Sequence, residues 1–134
     1  MYCELIPMKL SLVVPCYNEA ENVAAFQDAV MVAFEGCGYD YEIVFIDDGS
    51  KDATLHNLRK IYAEKKSAVT VVSFSRNFGK EAGIYAGLQH AKGDYIAVID
   101  ADLQQRPEIV RDMVKILDEQ PEYDMVSAYQ DRRG

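Results

Sequence analysis

Two acidic pairs in this sequence each follow an apolar run. Asp100 ends the run "DYIAVID" (residues 94–100), and Asp102 follows two positions later. In an extended chain residues i and i+2 point the same way. Asp100 and Asp102 can therefore share a divalent cation, or divide their contacts between a cation and a sugar. Mg²⁺ and Mn²⁺ prefer oxygen ligands and often bind through one or two carboxylates plus substrate phosphates. Gln104 adds a candidate carbonyl oxygen, and the structural alternative is that both aspartates only cap the turn or helix that follows.

The second pair, Asp47 and Asp48, opens the stretch "DDGSKDAT" (47–54). Asp-Gly-Ser is common in turns, and Ser50 or Asp52 is a candidate cap for the next helix. Two adjacent carboxylates repel each other unless hydrogen-bond donors surround them, and a nucleobase or a ribose supplies such donors. We therefore expect at least one member of this pair to contact a ligand.

A basic segment, "SRNFGKEAG" (75–83), places Arg76 and Lys80 at the start of a predicted helix. Cationic side chains beside a helix N-terminus form an anion site, and the alternative is a solvated charge pair between Lys80 and Glu81. Three glycines at four-residue spacing favour close packing of this helix: Gly79, Gly83 and Gly87. The sequence lacks G-x-G-x-x-G after the first strand and lacks G-x-x-x-x-G-K-[ST], which argues against dinucleotide-binding and P-loop proteins.

Five short apolar runs predict strands at residues 9–15, 41–47, 68–74, 94–100 and 124–129. Helices are expected between them, at about 19–35, 52–65, 80–91 and 107–119. The first four strands are apolar on both faces, as in a parallel sheet covered by helices on both sides. The alternation predicts an α/β fold with a Rossmann-like, doubly wound, mostly parallel sheet. Asn18 and Glu21 match a capping box, and Gly93 is expected to end the third helix in the left-handed conformation.

The composition limits the class of protein. A length of 134 residues suits one domain. A net charge of −8 argues against a nucleic-acid partner, although a local cationic pocket for one phosphorylated ligand is compatible with it. No apolar run approaches 18 residues, so the sequence predicts no membrane-spanning helix. Three scattered cysteines predict reduced thiols rather than disulfides or a zinc site.

The polar residues gather at the predicted strand ends. In an open α/β sheet, ligands bind beyond the carboxyl ends of the strands. Four such ends present side chains to one rim: Asn18, Glu19, Asp47, Asp48, Arg76, Asn77, Lys80, Asp100, Asp102 and Gln104. The sequence therefore predicts a ligand site on this rim.

Together these motifs resemble glycosyltransferase family 2 with the GT-A fold. The stretches "VVPCYNEAENV", "EIVFIDDGSKDAT", "SFSRNFGKEAGIYAGLQHAKGDYIAVIDADLQQRPE" and "VSAYQDRRG" are similar to the branch that contains dolichol-phosphate mannosyltransferase and the bactoprenol (polyprenyl-phosphate) glycosyltransferases. The resemblance implies that residues 1–8 form a short leader and residues 9–134 the nucleotide-sugar-binding half of the domain. The acceptor segment and any membrane helices are then expected outside this sequence.

The resemblance also implies roles for individual residues. Pro15, Tyr17 and Glu19 would line the nucleotide site, and Ile46 and Asp48 would meet the base and ribose. Asp100, Ala101 and Asp102 would lie at the nucleotide-sugar phosphates, with Asp100 and Asp102 acting in catalysis. Asp102 and Gln104 would bind Mg²⁺ or Mn²⁺, and Arg76 and Lys80 would lie near the phosphates or the acceptor.

The implied activity is metal-dependent, inverting transfer of a hexose from a nucleoside-diphosphate sugar to polyprenyl or dolichyl phosphate. A UDP-glucose-like donor is favoured, and GDP-mannose stays open. The resemblance implies a membrane-associated enzyme of the cell envelope, on the cytoplasmic side for the full-length protein, with this fragment soluble and homo-oligomerisation left open. The alternatives are nucleotide-sugar binding without turnover and a family 2 transferase acting on a polysaccharide or other acceptor. A receiver domain is disfavoured because its acidic pair follows strand one, and a pyrophosphorylase because "PCYNEAEN" is acidic where a basic, glycine-rich loop is expected.

Overall fold

A computed structural model describes residues 9–120, 122, 123 and 125 of the chain. Four strands alternate with four helices: β1 (Lys9–Cys16), α1 (Val23–Phe34), β2 (Asp40–Asp47), α2 (Thr54–Glu64), β3 (Val69–Ser73), α3 (Lys80–His90), β4 (Tyr95–Val98) and α4 (Pro107–Glu119). The predicted order of elements is confirmed over this range. The strand predicted at 124–129 lies outside the described residues except for Met125.

The strands form one parallel sheet in the order β3-β2-β1-β4. The near-continuous apolar runs of β1 and β2 occupy its centre, where Val13 pairs with Val44 on one side and with Val98 on the other. Both strands are almost wholly buried. Because all strands run the same way, their carboxyl ends meet at one rim of the sheet, as the sequence predicts.

Helices cover both faces of the sheet, which confirms the expected α/β architecture. On one face α1, α2 and α4 enclose the main core, where Phe26 meets Phe45 edge to face with ring centroids 6.0 Å apart. On the other face α3 lies against Val13 and Ile46. A Cβ atom on Gly87 would stand 2.9 Å from Ile46 Cδ1 and closer still to Val13. Close packing on the sheet therefore accounts for Gly87. The same role predicted for Gly79 is wrong, because that residue precedes α3 and a Cβ atom there would meet nothing within 4 Å.

Two predicted helix ends are wrong. The helix α1 begins at Val23 rather than near residue 19, so Asn18 and Glu21 form no capping box. Asn18 instead takes a left-handed φ of 54° in the loop after β1. Gly93 is not left-handed: a Cβ atom there would lie 2.6 Å from Ser11 Oγ, so the glycine permits close approach to β1. Among the described residues, no helix combines the length and apolar character needed to cross a bilayer.

Candidate active site

A cleft of about 230 Å³ opens beyond the carboxyl ends of β1, β2 and β4. Eight residues line it: Pro15, Cys16, Tyr17, Glu19, Asp48, Lys80, Asp100 and Asp102. Seven of them are residues that the sequence predicts to bind ligand, and Cys16 is the eighth. Larger pockets lie elsewhere on the described surface, including one of about 740 Å³ beside the start of α4. We take the smaller cleft as the site because four carboxylates and an ammonium group face it.

The loop after β1 is fixed by the segment that follows β2. Two of its backbone N–H groups donate to side chains there, from Asn18 to Ser50 Oγ at 2.9 Å and from Glu19 to Thr54 Oγ1 at 2.8 Å. In return, the Lys51 N–H donates to Asn18 Oδ1 at 2.9 Å. These reciprocal bonds explain why Asn18 leaves the helix and takes the left-handed conformation. They also fix the backbone that carries Tyr17 and Glu19 at the cleft.

Asp48 anchors the loop that precedes α3. Its Oδ1 accepts from the Phe78 N–H at 2.7 Å, while its Oδ2 accepts from the Gly79 N–H and from Asn77 Nδ2, both at 3.1 Å. The two loops also pack tightly, since a Cβ atom on Gly49 would lie 2.7 Å from the Arg76 carbonyl oxygen. The three bonds of Asp48 orient the first turn of α3 towards the cleft.

Asp47 and Asp48 do not need a ligand to relieve repulsion between their carboxylates, because the protein surrounds both with hydrogen-bond donors. Strand alternation directs neighbouring side chains to opposite faces of a sheet. Asp47 accepts from the Ser50 N–H at 3.2 Å, whereas Asp48 contacts the loop before α3. Both residues are almost wholly buried, and the donors around them come from the protein itself. Only Asp48 lines the cleft.

Lys80 forms an ion pair across the cleft. Its Nζ atom lies 2.9 Å from Asp100 Oδ1, and both side chains are substantially exposed, at 59% and 42%. The partner is therefore Asp100, on the β4 side of the cleft, rather than the neighbouring Glu81. The pair brings together the basic segment and the acidic segment that the sequence placed on one rim.

Asp102 lies in a turn between β4 and α4. Its Oδ1 accepts from the Gln104 N–H at 3.1 Å, and Leu103 between them has a φ of 64°. The strand ends at Val98, earlier than predicted, but Asp100 and Asp102 still face the same cleft. Neither caps α4, whose N-cap residue is Arg106 without a side-chain cap bond.

Four residues named from the resemblance lie outside the cleft lining. The Ile46 side chain is fully buried beneath α3, and Ala101 is 1% exposed. The guanidinium carbon of Arg76 stands 4.3 Å from the centroid of the Phe78 ring. Gln104 is exposed on the turn. The structure does not bring the side chains of this group to the cleft lining, and the expected contact of Ile46 with a base stays a prediction.

Cys16 lies at the floor of the cleft with a buried, free thiol. Burial raises the pKa of this thiol far above its ordinary value, and the nearby carboxylates of Glu19 and Asp47 raise it further. Cys16 is therefore protonated at neutral pH. A protonated, buried thiol is neither a nucleophile nor a metal ligand in this state.

The chain belongs to glycosyl transferase family 2, whose family model matches residues 11–133. It is 46% identical over 108 residues to a prophage bactoprenol glucosyl transferase homolog of Escherichia coli K12, a match that covers 81% of this chain and 35% of that protein. It is 38% identical over 126 residues to a dodecaprenyl-phosphate galacturonate synthase of Rhizobium johnstonii, covering 94% and 37%. The chain thus spans about a third of the length of the curated relatives it matches.

A solved structure supports the fold assignment. The mannosyltransferase PcManGT from Pyrobaculum calidifontis, in complex with GDP-Man and Mn²⁺, aligns with a TM-score of 0.72 at 26% identity. The alignment covers 84% of this chain and 33% of that one. The fold class expected from the family resemblance is therefore confirmed.

Proposed function

We propose that this chain forms the nucleotide-sugar-binding part of a glycosyltransferase that moves a hexose to a polyprenyl phosphate. The observation that carries the proposal is the cleft itself, where Tyr17, Glu19 and Asp48 on one side meet Asp100 and Asp102 on the other. The lipid acceptor is inferred from relatives named for bactoprenol and for dodecaprenyl phosphate. A glucose donor is inferred from the first of these names, with UDP as the favoured nucleotide.

In this proposal the base and ribose lie on the β1–β2 side of the cleft. Tyr17 is 42% exposed there and offers an aromatic face. Glu19 offers a carboxylate that Asn22 already orients, through a bond of 2.6 Å from Asn22 Nδ2 to Glu19 Oε2. The loop before α3 takes three of the roughly four lone-pair sites of the Asp48 carboxylate, and the remaining site on Oδ1 suits a donor on a base or ribose.

A divalent cation fits the other side of the cleft. In the described part of the chain Asp102 accepts one hydrogen bond, at Oδ1, and Lys80 engages one oxygen of Asp100. Among those residues no three acidic, histidine or cysteine side chains converge on one point. One or two carboxylates completed by substrate phosphates are a usual ligand set for Mg²⁺. We propose that Asp102 would hold Mg²⁺ or Mn²⁺ together with the donor phosphates, and that the exposed side chain of Gln104, which lies outside the cleft lining, would turn inwards to join it. The cation would neutralise the charge on the departing diphosphate.

The proposed transfer needs no base from this chain. An oxygen of the acceptor phosphate attacks the anomeric carbon, the bond from that carbon to the diphosphate breaks, and its electron pair leaves with the diphosphate. In-line attack inverts the anomeric centre. The second pKa of a phosphate monoester is about 6, so the acceptor is already anionic at neutral pH. We propose that this occurs at the cytoplasmic face of a membrane in the longer protein.

Thermal unfolding with UDP-glucose or GDP-mannose, each with and without Mn²⁺, tests the donor site. A ligand at 100 times its Kd should stabilise the protein by about 2.7 kcal/mol. Asp102→Asn should lose the Mn²⁺-dependent part, whereas Asp28→Asn, an exposed change on α1, should retain it. Transfer of radiolabelled sugar to polyprenyl phosphate then tests turnover separately. If neither UDP-glucose nor GDP-mannose stabilises the protein in an Mn²⁺-dependent way, the proposal is contradicted.

A further inference from the structure

Lys80 is the one cationic side chain among the described residues that line the cleft, and it faces four carboxylates. Its Nζ atom lies 2.9 Å from Oδ1 of Asp100, and Asp100 precedes Asp102 by two residues. Exposed ion pairs of this kind are weak, because water solvates both partners. A ligand entering the cleft can therefore separate the pair at little cost.

We propose that Lys80 is a positioning residue that couples cation binding to diphosphate binding. In the ligand-free cleft its ammonium group neutralises Asp100 and opposes a divalent cation. When a nucleoside diphosphate enters, the ammonium group moves to the phosphate oxygens and releases Asp100. This inference rests on the proposed nucleotide-sugar function.

The local structure suits such a movement because only one end of Lys80 is fixed. Lys80 is the first residue of α3, and the two preceding N–H groups are bound by Asp48. The side chain beyond this fixed backbone is 59% exposed and has a flexible four-carbon stem. The ammonium group can therefore exchange partners while the helix stays in place.

Electrostatics gives the direction of the coupling. A cation near Asp102 is repelled by the ammonium group and feels a weakened field from the neutralised Asp100. A diphosphate carries more negative charge than Asp100, so it is the stronger partner for Lys80. The coupling is reciprocal: whatever factor the diphosphate contributes to cation affinity, the cation contributes to diphosphate affinity.

The test measures the affinity of the protein for Mn²⁺ alone, by electron paramagnetic resonance at low salt. The affinity is then measured again with saturating UDP or GDP, and the Mn²⁺ bound to free nucleotide is subtracted. A unit charge within one side-chain length of a hydrated divalent ion changes its affinity by roughly five-fold. Lys80→Met should therefore bind Mn²⁺ alone about five-fold more tightly than the parent protein. The enhancement of Mn²⁺ affinity by the nucleotide should shrink in the same variant.

Two variants serve as controls. Lys60→Met makes the same change in net charge on the exposed side of α2, and Lys80→Arg keeps the charge in the cleft. Both should bind Mn²⁺ alone like the parent. If Lys80→Met does not bind Mn²⁺ more tightly while nucleotide still enhances binding in the parent, the coupling inference is overturned and the proposed function stands. If none of the proteins binds Mn²⁺ even with nucleotide, the proposed metal-dependent function fails, and this inference fails with it.

Discussion

The hydrogen bonds of Asp48 predict a large loss of stability in Asp48→Asn. Asp48 as a whole residue is 4% exposed, and its carboxylate accepts three hydrogen bonds from the loop before α3. Asparagine has the same shape but only one acceptor oxygen. Whichever way its amide is turned, an NH₂ group faces at least one N–H donor.

The magnitude follows from the donors that lose their partner. With the amide oxygen at the Oδ2 position, the bonds from Gly79 N–H and Asn77 survive in weaker, uncharged form, and the Phe78 N–H loses its acceptor. Hydrogen bonds to charged groups contribute about 1.5–3 kcal/mol, and a buried donor left unpaired costs about 1–3 kcal/mol. We expect Asp48→Asn to lower the free energy of unfolding by about 2–4 kcal/mol, a large share of a typical domain's 5–15 kcal/mol.

Urea unfolding followed by far-ultraviolet circular dichroism measures this change, with an unchanged m-value as the sign that both proteins unfold between comparable states. Asp47→Asn is a matched control, because it removes the same charge one residue earlier. Among the described residues, Asp47 accepts a single hydrogen bond, on Oδ1 from the Ser50 N–H, and asparagine retains it. We expect that control to cost about 1 kcal/mol or less. If the two variants lose the same stability within about 0.5 kcal/mol, the anchoring role of Asp48 is refuted.

Asn77→Ala separates the anchoring role of Asp48 from contact with a ligand. The change removes one donor to Asp48 and leaves every residue of the cleft lining intact. If nucleotide-sugar affinity falls in Asn77→Ala as well as in Asp48→Asn, the position of the loop before α3 limits binding. If it falls only in Asp48→Asn, direct contact of Asp48 with the ligand is the better account.

Three further outcomes follow from the packing and the pKa shifts. Gly87→Ala should destabilise the protein by about 1–3 kcal/mol in urea unfolding, because its methyl group would clash with side chains of the sheet. Gly83→Ala should be tolerated, because a Cβ atom there would lie 3.5 Å from its nearest neighbour, Pro15 Cβ. Hydrogen bonds from the side chain and the backbone N–H of Thr54 lower the pKa of Asp52. The carboxylate therefore stabilises the fold above the ordinary carboxyl pKa, and this contribution disappears as pH falls through the lowered pKa. Measured as unfolding free energy against pH, Asp52→Asn should lose less stability in acid than the parent protein. Cys16 should react with iodoacetamide much more slowly than Cys37 in the native protein at pH 8, because burial raises the pKa of its thiol.

Much of the fold was predictable because it depends on local patterns. The runs that became β1 and β2 are apolar on both faces, which specifies central strands of a parallel sheet. Once the sheet is parallel, its strand ends must share a rim, so most of the cleft lining followed from position alone. The period of two along β2 also contained a signal that the sequence analysis missed, since it directs Asp47 and Asp48 to opposite faces and buries Ile46 beneath α3.

The remaining features depend on contacts between distant segments. Asn18 matched a helix cap locally, but its bonds to Ser50 and Lys51 draw it into a different loop. Lys80 and Asp100 are twenty positions apart on separate elements, so no periodicity links them. Propensity describes what a segment prefers alone, and here tertiary hydrogen bonds and charges select another arrangement.

The charge of the cleft constrains how an anionic donor can bind there. Four of its eight side chains are carboxylates and one is a lysine, within a chain of net charge −8. This surface would repel a diphosphate that carries no cation. Contacts to the base and ribose would then have to overcome that repulsion to hold the phosphates beside Asp100 and Asp102. A divalent cation at Asp102 would cancel much of the negative charge of the lining without reversing it, and Lys80 supplies a positive charge that attracts the diphosphate. Because hydrogen bonds fix the loops on both sides, the proposed cation and the Lys80 side chain would be the parts of this cleft that adjust to a bound donor.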